Sequence, residues 1–170
     1  MTDLKTKTQS AAASAAYMRE HRIAWREAGF SSVTSMAHEK DTLRIRAYVN
    51  IIKFERLLSL IEDGDTTAIS LAFSRNAPKM PPFDVMKDLE DRVNVQANAG
   101  KAGAIEANKL IPAISKYSKK AVAGRIALED DFNNDALRAR NVAYGNLAVA
   151  TYKLAEALLA SPMVGDDDGD

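Results

Sequence analysis

One pattern constrains this chain more than any other. From residue 43 onward, Leu43, Ala47, Ile51, Phe54, Leu58 and Ile61 follow at steps of four, four, three, four and three. Only a helical backbone brings such positions onto one side, so the spacing predicts an amphipathic helix about six turns long. Asp63-Gly64-Asp65 ends it, because glycine accepts the backbone turn and aspartate competes for local hydrogen bonds.

The remaining segments also read as helical. Residues 1–16 are polar and alanine-rich and are expected to form a flexible arm or a fraying helix. Residues 17–28 have helical composition and stop at Gly29. Residues 30–37 alternate weakly, with the β-favouring pair Val33-Thr34, and give the one strand expected in the chain. A short helix follows from Thr66 to about Arg75. The prolines at 78, 81 and 82 then make 77–83 a stiff connector and the candidate domain boundary. Residues 84–98 and 104–127 are expected to be helical, with Gly100 and Gly103 loosening the chain between them and Pro112 kinking or restarting the second. Asn133 or Asn134 caps the last helix. In that helix Leu137, Tyr144, Leu147, Leu154 and Leu158 fall at heptad positions, with Thr151 in the same register. This stripe fits either a buried intramolecular face or an oligomerising coil.

The expected fold is therefore mainly α. It is a bundle of five to six helices with one short N-terminal strand and a long C-terminal helix. The parts are an arm at 1–16, an N-terminal domain at 17–76, a connector at 77–83, a helical C-terminal domain at 84–160 and an acidic tail at 161–170.

Composition narrows the function classes. Apolar residues make up 46% of the 170, but much of that share is alanine and aromatics are only 6%, which favours thin helical layers over one large core. There is no cysteine, which removes disulfides, thiolate metal ligands and a cysteine nucleophile. No apolar run approaches the roughly 20 residues of a membrane span, and no apolar signal-peptide core follows Lys5 and Lys7. The expected setting is the cytoplasm or the interior of a virion. The net charge is zero but unevenly spread. Residues 1–59 hold ten bases against six acids, a surplus of four, which the remainder offsets, partly through Asp166, Asp167, Asp168 and Asp170. A basic front fits a polyanion-facing end; the alternative is a solvated surface with a solubilising tail.

The stretch from Tyr17 to Asn50, YMREHRIAWREAGFSSVTSMAHEKDTLRIRAYVN, resembles the entry into ribbon-helix-helix DNA-binding proteins. Arg19, Arg22 and Arg26 stand where that family has a basic arm, Gly29 at the hinge, Ser31 to Ala37 at the ribbon and Glu39-Lys40-Asp41 at the helix start, with Leu43 and Ala47 on the packing face. The resemblance implies that strands from two subunits pair and enter the major groove. Ser32, Thr34 and Ser35 would then read base edges, Val33 would face the core, and the arginines and Lys40 would hold phosphates. Two departures stand out. The ribbon lacks long basic or amide side chains, and no turn breaks the helix after residue 39. The alternative is a loop or short strand between two bundle helices.

Catalytic and metal signatures are missing. His21 and His38 have no second ligand at helical spacing, so no zinc site is expected. Glu129-Asp130-Asp131 with Asp135 reads as helix-terminal acids rather than a cation loop, and Asp63-Gly64-Asp65 as a turn. No phosphate-binding glycine loop or nucleophile elbow appears. Trp25, between Arg22 and Arg26, reads as a core anchor before a base-stacking platform. The expectation is a non-enzymatic protein without cofactor or metal that forms homo-oligomers, binds double-stranded DNA as a regulator or packaging accessory, and meets no membrane. The alternative is an assembly subunit of a phage particle, held to itself and to other particle proteins by helix–helix contacts.

Overall fold

The structure, a computed structural model, describes residues 3–31, 38–73 and 79–160, with the backbone alone at 3–12, 39, 40 and 73. Seven helices lie in that set: α1 (Asp3–Glu27), α2 (Glu39–Glu62), α3 (Thr66–Phe73), α4 (Phe83–Asn98), α5 (Ala102–Asn108), α6 (Ile111–Asp130) and α7 (Asp135–Ala160).

Local chemistry sets the ends of these helices. At Gly29 and Gly64, φ is near +80°, and paired carbonyl contacts close each terminus. Phe30 N–H donates to Trp25 O beside Gly29 N–H to Arg26 O, and Asp65 N–H donates to Leu60 O beside Gly64 N–H to Ile61 O. The carboxylate of Asp65 then accepts from the N–H groups of Thr67 and Ala68, so the same turn caps α3. Asn134 Oδ1 accepts from Leu137 N–H and starts α7, so of the two asparagines that the sequence offered as cap it is the second that serves. Pro112 sits in the first turn of α6, where its missing N–H costs nothing, so it restarts the helix rather than kinking it.

The centre of the molecule is α7. Its contacts with α2 and α6 are the most extensive in the fold, and it also meets α3, α4 and α5. Ala139, Ala143, Gly145, Ala148, Ala150 and Ala155 are all buried, and such small side chains let neighbouring backbones come close. Thr151, buried among them, donates its hydroxyl to Leu147 O and leaves no polar atom unmet. Two apolar clusters share this helix. One joins Trp25, Phe54, Leu57, Ile61, Ala68 and Leu71 to Ala139, Ala143, Tyr144 and Leu147. The other joins Leu89, Val93, Ala107 and Ile114 to Tyr152 and Ala155.

Several expectations change here. The first cluster draws on both sides of the 77–83 connector, so the expected N- and C-terminal domains share one core. Of the two alternatives for 1–16, an arm or a helix, residues 3–16 take the helical one and belong to α1. The short N-terminal strand is not found. No strand occurs among the described residues, and 32–37, where most of it falls, lie outside them. A lone strand in a helical chain has no second strand to satisfy its backbone groups. The expected packing face of α2 is covered only in part, and Leu57 joins it. Ala47, Phe54, Leu57 and Ile61 are buried, whereas Leu43 is 69% exposed and Ile51 and Leu58 are half-buried.

Candidate functional site

Among the described residues, no group of three or more histidine, aspartate or glutamate side chains is placed to hold a metal ion, and no helix is long and apolar enough to cross a membrane. The acids that attracted notice in the sequence serve helix ends. Asp65 caps α3, Asp131 accepts from Asn134 Nδ2 at 2.9 Å, and Asp135 lies 3.8 Å from Arg138. His21 Nε2 accepts a 3.2 Å hydrogen bond from Trp25 Nε1. Trp25 is a buried anchor. Its ring meets Phe30 edge-on at 4.8 Å, and Lys53 Nζ lies 3.7 Å over its face, tying α1 to α2.

The polar contacts that do cross between helices are structural. Tyr117 OH donates to Glu55 Oε1, joining α6 to α2. Tyr144 OH accepts from Lys120 Nζ and donates to Glu62 Oε1, joining α6, α7 and α2. Burial and the Glu55 contact push the Tyr117 phenol above its ordinary value. Tyr152 donates to Glu156, and burial followed by that carboxylate raises its pKa to about 12.

The most distinctive surface is apolar. An open groove of about 520 Å3 runs between the first half of α2, the α5–α6 junction and the end of α7. Leu110, Leu154 and Leu158 line it on one side, and Ile45, Tyr48 and Val49 on the other. Arg44, Glu106 and Lys109 stand at its rim, and their charges are matched locally, Arg44 with Asp41 and Lys109 with Glu106. Three of those α2 residues belong to a longer stripe. Ile45, Tyr48, Val49 and Ile52 are 37%, 58%, 52% and 53% exposed and lie at i, i+3, i+4 and i+7. At 100° per residue this stripe faces away from the one that carries Ala47, Phe54, Leu57 and Ile61. Thus α2 is apolar on two sides, one against α7 and one outward.

The predicted site residues fall into three groups. Arg19, Arg22 and Arg26 are exposed and, at steps of three and four, share one side of α1, the side away from the Tyr17–His21–Trp25 face. Lys40 starts α2, with only its backbone described, while Ser32, Ser35 and Thr34 lie outside the described residues. Of the α7 stripe, Tyr144, Leu147 and Leu154 are buried and Leu137 and Leu158 half-buried. Tyr144 and Leu147 pack in the first cluster and Leu158 against the second, the intramolecular alternative for that pattern, while Leu154 and Leu158 also border the open groove. Sequence reasoning passed over Ile45, Tyr48, Val49 and Ile52, although their spacing is a second helical stripe that could have been read beside the first. Comparison with known protein families, with curated proteins and with solved structures finds no match to this chain.

Proposed function

We propose that this chain is a non-enzymatic assembly subunit that associates with copies of itself through helix–helix contacts. The outward stripe of α2 carries this reading, because four large apolar side chains at helical spacing beside an apolar groove are what a partner helix needs. A solvated bundle helix would carry charge at those positions instead. The zero net charge adds no long-range repulsion between copies. Light scattering across a concentration series tests the reading. The expected result is a mass that rises with concentration, and a strict monomer up to millimolar chain would refute it.

A second reading has its own observation. Arg19, Arg22 and Arg26 form one exposed basic stripe on α1, a shape suited to phosphate contacts along double-stranded DNA. Replacing all three with alanine is expected to lower retention on DNA and to flatten its salt dependence by about 0.9 log units per log unit of salt for each lost phosphate contact. Unchanged retention would remove this reading and leave the first intact.

A further inference from the structure

We infer that two copies of this chain pair through the outward stripes of their α2 helices, antiparallel, about a twofold axis between Tyr48 and Val49. The inference rests on the self-association reading and gives it a geometry. The stripe reads the same from either end: Ile45, Tyr48, Val49 and Ile52 are separated by three, one and three residues. A twofold interface demands such self-complementarity, because each surface must be its own partner. Antiparallel alignment sets Ile45 opposite Ile52 of the second copy and Tyr48 opposite Val49.

Charge fits the same register. Asp41 lies four residues before the stripe and Arg56 four residues after it, and both are partly or fully exposed. Asp41 is held by Arg44 at 2.8 Å within its own copy, and the antiparallel pair brings Arg56 of the second copy to that same carboxylate at each end of the contact. A parallel pair would set Asp41 against Asp41 and Arg56 against Arg56, which repel. Tyr48, the largest side chain of the stripe, also borders the apolar groove, so a pocket lies beside a residue type enriched among interface anchors. Four side chains alone cover less than the roughly 800 Å2 per partner of a standard interface, so the groove wall belongs to the contact as well.

The chain has no cysteine, so introduced cysteines report the register directly. Val49→Cys, next to the axis, is expected to form a disulfide-linked dimer under mild oxidation. Ile52→Cys alone is not, because its copies would stand about 10 Å apart along the helices, beyond disulfide reach. A mixture of Ile45→Cys and Ile52→Cys should crosslink. Asp41→Arg and Arg56→Asp should each weaken association about tenfold or more by sedimentation equilibrium, and the two together should restore it. Tyr48→Asp should reduce it further while leaving the helical circular dichroism unchanged, since this side chain is exposed. Self-crosslinking of Ile52→Cys, or association that survives both Tyr48→Asp and Ile52→Asp, would overturn the antiparallel α2 interface while sparing the self-association reading. A strict monomer would overturn both.

Discussion

At Gly103, α5 meets α7 so closely that a Cβ built on the glycine would lie within van der Waals contact of the Leu158 carbonyl carbon and overlap its oxygen. The obstacle is backbone, so it cannot step aside as a side-chain tip would. Gly103→Ala is therefore expected to destabilise the fold by about 1–3 kcal/mol, the usual cost of overpacking, seen as a lower midpoint in urea. Leu147 is fully buried in α7, and Leu147→Ala should cost about 2–5 kcal/mol in the same measurement. Tyr152 provides a pH signature. Its pKa rises from an ordinary value near 10 to about 12 because burial and then Glu156 disfavour the phenolate. The folded state therefore holds the proton more tightly than the unfolded chain does. This contribution is complete below pH 10 and fades as pH climbs through 12, at up to about 1.4 kcal/mol per pH unit. Denaturant titrations at pH 9 to 12 should show that slope, and Tyr152→Phe should flatten it.

At the scale of elements, α2 is set apart by having two apolar sides. Its second half lies over the Trp25–Leu147 cluster, while Ile45, Tyr48 and Val49 in its first half stay exposed beside the end of α7. The helix is thus built into the bundle along one side and offered to a partner along the other. The ends of elements are set by single residues. Asn134 caps α7, the helix that every core cluster uses, through its bond to the Leu137 N–H. Asn134→Ala is expected to cost about 1 kcal/mol by thermal or urea unfolding, whereas Asn133→Ala, one residue outside that bond, should leave stability nearly unchanged.

For the whole molecule, α7 bridges the two clusters, so unfolding should be one cooperative event rather than two. Residues on both sides of the connector share the first cluster, and α7 carries that core into the second. Probes at each end, Trp25 fluorescence for the first cluster and the hydrogen exchange of Val93 for the second, should therefore lose structure at the same denaturant concentration. Two separate transitions would mean that 17–76 and 84–160 stand as independent units after all.

Much of this architecture could be read from the chain without coordinates. Helix identity followed from the 3–4 spacing of apolar residues, and helix ends from Gly29 and Gly64, with Pro112 left between a kink and a restart and the α7 cap between Asn133 and Asn134. These are local effects, decided by backbone conformation and hydrogen bonds within a few residues. What faces what was not local. The α7 stripe has the same spacing whether it meets another chain or its own α2 and α6, and Trp25 on a basic helix looks alike whether it stacks on a base or under Lys53. Leu43 and Leu57 both lie on the core side of α2, yet only the placement of α7 beneath that helix exposes the first and buries the second. Periodicity reports which sides of a helix are apolar, and only the packed fold decides which of them is already covered, because coverage depends on neighbours far away in sequence.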